Sequence, residues 1–130
     1  MLFIHLVLSV FLMWNSVEPV EETRSIESIV SALNQGSSSN LSQYFDSSIT
    51  LNINGQQGSY SKNQAEVVLR GFFKKNPPQS FSVVYRSENN ASLRSYVGEY
   101  QSIESSYKVF IKVSFHEAQL KLYSLEFVQS

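Results

Sequence analysis

The sequence predicts an α+β domain in which helices from the first half pack on a curved antiparallel sheet built mainly from the second. Three observations carry that reading. Apolar residues recur at helical spacing at Ile26, Ile29, Val30 and Leu33, and again at Ala65, Val68, Leu69, Phe72 and Phe73. From Phe81 onward the pattern switches to two-residue alternation broken by polar turns. In the last alternating run the apolar set changes sides, from Leu120 and Leu122 to Tyr123, Leu125 and Phe127, which implies a bulge or a sheet covered on both faces. One amphipathic helix laid into the hollow of such a sheet makes a cone.

Taken in order, the chain opens with an apolar run, Leu2 to Trp14, interrupted only by His5 and Ser9. That length suits the h-region of a signal peptide better than a membrane span. No Lys or Arg precedes the run, and cleavage after Ser16 would put Trp14 where a small residue is preferred, so a retained anchor is the alternative to a leader over residues 1–16. Export to the periplasm or medium is the expectation, with residues 17–130 as a single domain and no membrane contact once the leader is removed.

After Pro19 the first helix places Glu21 and Glu22 near its positive end and stops at Gly36. Asn40 and Gln43 have the spacing of a cap for a short helix that turns Leu41, Tyr44 and Phe45 inward, and Asp46-Ser47-Ser48 reads as its break. Ile49 to Asn54 alternates as a strand, Asn54-Gly55 turns it, and Gln56 to Tyr60 returns. Ser61 and Gln64 then form a capping box for the second amphipathic helix, which Lys74, Lys75 and Pro77-Pro78 end. Its polar row, Lys62, Glu66, Arg70 and Lys74, reads as a solvated face. Gly71 is anomalous, since an interior helix glycine costs about 1 kcal/mol relative to alanine; a close backbone approach would account for it. Four strands follow as a meander: Phe81 to Arg86, Leu93 to Tyr100, Ser106 to Phe115 and Gln119 to Phe127.

Composition bounds the chemistry. At 130 residues and 42% hydrophobic, with 9 Phe and 7 Tyr, the chain can bury a core without staples. A net charge of −1 without a long single-sign run argues against nucleic acid as a partner. There is no cysteine, which removes disulfides, thiolate catalysis and sulfur-bound metals. A zinc site would have to rest on His116 and carboxylates, so no metal and no cofactor are expected. Phosphate loops, nucleophile elbows and paired-carboxylate constellations are missing from the sequence.

The run Gly58, Tyr60, Ser61, Lys62, Gln64, Ala65, Glu66, then Phe72, Phe73, Asn76, Pro77, Pro78 and Phe81, with Tyr44-Phe45-Asp46 upstream, resembles a family of small exported bacterial proteins of uncharacterised function. That family belongs to the cystatin-like superfamily of nuclear transport factor two and ketosteroid isomerase. The resemblance spans about residues 26–127 and implies the cone fold and no activity. Because the superfamily includes enzymes and ligand binders, Tyr44, Asp46, Phe72, Tyr85 and Tyr96 are the candidate lining of the cone. Asp46 as a general base would need burial and a partner to polarise a carbonyl; a turn residue capping its own backbone is the simpler reading. Tyr100 is a further candidate hydroxyl, and His116-Glu117 reads as a solvated turn pair.

These residues point to a non-catalytic exported domain that binds a small apolar molecule or a protein partner, with a ketosteroid-isomerase-like or hydratase-like enzyme as the alternative. An enclosed cavity holding Asp46 or Glu99 beside a tyrosine hydroxyl would favour the enzyme, whereas Phe72, Phe73 and Phe81 filling the cone would leave no pocket. The outer sheet face, with Lys108, Phe110 and Lys112, is expected to support a weak homodimer.

Overall fold

The computed structural model describes residues 21–130, and side chains from residue 26 onward. The leader expected over residues 1–16 and the side chains of Glu21 and Glu22 lie outside that range. In chain order the elements are α1 (Glu21–Gln35), α2 (Ser38–Ser42), β1 (Phe45–Ile53), β2 (Gln56–Ser61), α3 (Lys62–Lys75), β3 (Pro78–Ser87), β4 (Leu93–Ser102), β5 (Ser106–His116) and β6 (Gln119–Gln129). The strands form one curved sheet in the order β2-β1-β6-β5-β4-β3. The expected hairpin and meander are both present, and they join through a parallel pairing of β1 with β6. The sheet is therefore antiparallel except at that seam: α3 carries the chain from β2 to the far edge, and the meander works back until β6 reaches β1.

Local chemistry explains most of the boundaries. The end of α1 is closed by Ser37 N–H donating to Ala32 O at 2.9 Å and Gly36 N–H to Leu33 O at 3.3 Å. Gly36 has φ +64°, and a Cβ there would lie 2.8 Å from Pro78 Cδ, so glycine both stops the helix and admits the start of β3. The α2 cap is Ser37, whose hydroxyl accepts from Asn40 N–H at 3.2 Å, and not Asn40, which sits inside the helix. Phe45 likewise belongs to a strand and not to a helix. Asp46-Ser47-Ser48 continues β1 because strands hold it at both ends: Leu122 N–H donates to Tyr44 O at 2.6 Å and Phe45 pairs with Leu122 of β6, Ser48 pairs with Ser61 of β2, and the register with β6 slips before Thr50. The β1–β2 turn uses Asn54 (φ 52°) and Gly55 (φ 88°), as its Asn-Gly sequence predicts. Asn54 is also tied to β6, donating its N–H to Phe127 O at 2.9 Å and accepting Gln129 N–H on Oδ1 at 3.0 Å.

Helix α3 begins with the predicted capping box, the Ser61 hydroxyl and the Gln64 amide each accepting the other's backbone N–H at 3.3 Å. Its Ala65, Leu69, Phe72 and Phe73 are buried, while Lys62, Arg70 and Lys74 are exposed and Glu66 pairs with Arg70. Gly71 does not sit in a close approach: a Cβ there would meet no atom within 4 Å. The close approach is at Gly98 instead, where a Cβ would fall 2.3 Å from the Phe81 ring.

The core lies between the helices and the concave face of the sheet, joining Ile29 and Leu33 of α1, the buried side of α3, and Ile49, Leu51, Tyr96, Tyr100, Val109, Ile111, Leu122, Leu125 and Phe127. Phe72 is its focus, with ring centroids 4.4 Å from Phe127, 5.2 Å from Tyr107 and 5.8 Å from both Tyr100 and Phe73. The predicted bulge in β6 falls at Tyr123, since Lys112 pairs with Ser124 but Val113 pairs with Leu122, and it keeps both Leu122 and Leu125 facing inward. At the β3 edge the Asn34 side chain of α1 stands in for a neighbouring strand: Nδ2 donates to Phe81 O and Oδ1 accepts Phe81 N–H, both at 2.9 Å.

Truncating Phe72 to alanine removes a buried ring from this cluster and is expected to lower unfolding free energy by about 3–5 kcal/mol, whereas Lys74→Ala on the exposed face should change it by less than about 0.5 kcal/mol. Urea denaturation of the two variants checks this, and similar losses would contradict the assigned faces.

Candidate functional site

The polar groups around the core gather at its two ends. At the narrow end, α3 runs into Asn76-Pro77, and this turn satisfies the aromatic cluster. Asn76 caps α3 through its N–H and its Nδ2, at 2.8 and 3.2 Å from Phe72 O. Its Oδ1 accepts the Tyr107 hydroxyl at 3.1 Å, its backbone oxygen accepts the Tyr100 hydroxyl, and Pro77 O accepts the Ser102 hydroxyl at 2.8 Å. Burial, with a smaller contribution from Tyr107, holds the Tyr100 hydroxyl above the ordinary phenol range. These hydroxyls are taken up by the turn.

At the other end, the Tyr96 hydroxyl donates to Glu88 Oε2 at 2.7 Å, and Arg94 Nη1 lies 3.8 Å from the same oxygen. The Arg94 guanidinium stacks on Phe115 at 4.1 Å from the ring centroid, and Arg86 lies over Tyr96 at 5.6 Å. Strand register builds this group. Arg86 and Tyr96 are cross-strand partners, Arg94 partners Val113, and Glu88 follows the end of β3. Burial first, and then the Glu88 carboxylate that accepts its proton, push the Tyr96 hydroxyl up to about 12, so it is a neutral donor throughout the physiological range. The Glu88 carboxylate is 41% exposed and already holds Tyr96 and Arg94, an arrangement suited to an anchored hydrogen bond rather than to a free base.

The five side chains expected to line the cone do not converge. Phe72 is at the centre of the aromatic cluster, and Tyr96 is at the far end of the concave face. Half-buried Tyr44 lines a small groove with Ser31, Gln35 and Asn40. Asp46 accepts the N–H of Ser47 on its own Oδ1 at 2.8 Å, which is the backbone-capping role its surroundings predicted. Tyr85 is on the opposite, outer face and 60% exposed: a register slip between Val83 and Tyr85 pairs it with outward Val97 and hands the inward position to Arg86. Glu99 is outward too, paired with Lys108, and His116 and Glu117 form an exposed turn. Phe72, Phe73 and Phe81 fill the concave side. Among the described residues no cluster of His, Asp and Glu is arranged to hold a metal ion.

Sequence reasoning passed over Glu88, Arg94, Asn34 and Asn76 as side chains with partners. Asn76 was legible in principle as a helix cap before Pro77-Pro78. The others depend on hairpin register and helix docking, which leave no local signal.

On the outer face, Tyr85, Val97 and Phe110 stand in register across β3, β4 and β5. Lys108 and Lys112 flank Phe110 along β5, Glu126 partners Phe110 from β6, and Glu99 partners Lys108 from β4.

Compared with protein families, residues 26–127 match a domain of unknown function, DUF4783. Among solved structures, the chain is similar to a DUF4783 protein from Bacteroides uniformis, with TM-score 0.76, 17% identity, and 80% of this chain and 95% of that one covered. It is similar to an NTF2-like protein of unknown function from Silicibacter pomeroyi, with TM-score 0.60, 15% identity and coverage of 83% and 92%. It is also similar to a domain of unknown function with a cystatin-like fold from Nostoc punctiforme, with TM-score 0.67, 11% identity and coverage of 88% and 80%. No curated protein matches.

The Tyr96 geometry predicts an alkaline transition. The folded value of about 12 lies above the unfolded value of about 10, so the stabilising difference is complete below pH ~10 and is lost as pH rises toward 12. Denaturation midpoints measured across that range should fall, and the fall should be shallower in Tyr96→Phe; identical slopes would show that the hydroxyl is not buried against Glu88.

Proposed function

Because the chain belongs to the DUF4783 family, a domain of unknown function with an NTF2-like α+β fold, we propose that it is an exported, non-catalytic domain that associates through the outer face of its sheet, first with a second copy of itself. The observation that carries this reading is the filled cone. Phe72, Phe73, Phe81, Tyr100, Tyr107 and Phe127 occupy the concave side and are all buried, which leaves the surface as the place for recognition. The apolar run Leu2 to Trp14 supports export.

On the outer face the row Tyr85, Val97 and Phe110 offers an apolar strip, and Lys108 and Lys112 beside Glu99 and Glu126 give both signs of charge within one patch. A two-fold related copy meets such a patch with itself, so lysines of one copy can face glutamates of the other. The strip is narrow and set among serines, threonine and asparagine, which favours weak association over an obligate dimer. An isomerase or hydratase would use Asp46 or Glu99 beside a tyrosine hydroxyl. Asp46 holding its own backbone and Glu99 facing outward weigh against it.

Sedimentation of the mature chain from about 1 μM to about 1 mM is expected to show a rising average mass, and Phe110→Glu should keep the chain monomeric across that range. A wild-type chain that stays monomeric throughout, or a Phe110→Glu variant that associates equally well, would overturn the assignment.

A further inference from the structure

Among the described residues nothing packs against position 71 closely enough to require glycine. Its helical backbone suits any residue, a Cβ there would meet nothing within 4 Å, and glycine weakens the helix that the core depends on. What lies above it is a groove. Val68, Gly71, Phe72 and Lys75 follow the i, i+3, i+4, i+7 spacing along one side of α3, and Ile53, Asn54 and Tyr107 form the opposite wall of an open groove of about 350 Å3, with Asn76 at its end. That volume is at the small end of the range for ligand sites.

The chemistry of the lining is asymmetric. Among the described residues, Ile53, Val68 and Phe72 make the lining apolar, Lys75 is its one charged residue, and no carboxylate lines it. The polar groups at its end are engaged: the Tyr107 hydroxyl with Asn76 Oδ1, and Asn54 Oδ1 with Gln129 N–H. An occupant that matches these walls has an apolar body and one negative charge. With any side chain at position 71, a Cβ would project into this space; with glycine, the helix backbone itself is the floor.

We infer that the groove over Gly71 binds a small amphiphilic carboxylate, whose apolar chain crosses the bare backbone between Val68 and Ile53 while its head pairs with the Lys75 ammonium. This site is separate from the outer sheet face, so the failure of either assignment leaves the other standing.

The test is an amide NMR titration of the mature chain with octanoate, using 1-octanol as the uncharged comparator. Octanoate is expected to give saturable shifts at Ile53, Val68, Gly71 and Lys75. Affinity should drop about fivefold in Lys75→Gln, as for loss of a partly exposed ion pair, and octanol should bind more weakly by a similar factor. Gly71→Ala should melt about 4 °C higher yet bind less tightly, and Gly71→Leu should not bind. An absence of saturable shifts at these amides, undiminished binding by either Gly71 variant, or equal binding of octanol and octanoate would each overturn the proposal.

Discussion

The contact between Phe72 and Phe127, ring centroids 4.4 Å apart, fixes where α3 can lie in the hollow of the sheet, and most other features follow from that position. With Phe72 seated among Phe127, Tyr107 and Tyr100, the last turn of α3 falls where Asn76 can take both tyrosine hydroxyls. Pro77-Pro78 then turns the chain under Gly36 and starts β3 at the far edge. A phenol buried in an apolar cluster is costly unless its hydroxyl is satisfied, so the Asn76 turn and the aromatic cluster stabilise one another. The arrangement is cooperative: displacing α3 would strand two hydroxyls and open the core at once.

The same constraint sets where the ionisable groups lie. Among the described residues, Phe72, Phe73 and Phe81 fill the concave side, and the ionisable groups are dispersed to the far end, the outer face and the turns. Tyr96 and Glu88 at the far end are held to each other and to Arg94, and Tyr85 is carried to the outer face by the slip in β3. The surface carries an apolar row on the outer face and the groove that α3 leaves open above Gly71.

Much of the fold was legible in the sequence because it is written in local chemistry. The Ser61–Gln64 box, the Asn54-Gly55 turn, the buried face of α3 and the side-switch of β6 each depend on residues a few positions apart, and each is found where the pattern predicts it. The misread features depend on distant partners. Phe45 to Ser48 looks like a helix end and a turn until β6 pairs with Phe45 and β2 with Ser48, and the cap at Ser37 is hidden by an equally good cap signature at Asn40. The candidate site was legible only residue by residue. Phe72 was correctly read as an inward ring, but an unpredictable one-residue slip decided which face Tyr85 took, and Gly71 marks an open groove where a close approach was expected.

Native-state hydrogen exchange tests the central claim most directly, because it measures whether α3 opens independently of the sheet. If the aromatic cluster couples them, the amides of Leu69, Phe72 and Phe73 exchange only by global unfolding, with the same opening free energy as Val109 and Ile111 in β5. If those helix amides open at a free energy several kcal/mol below that of β5, α3 is not the constraint that the rest of the structure depends on.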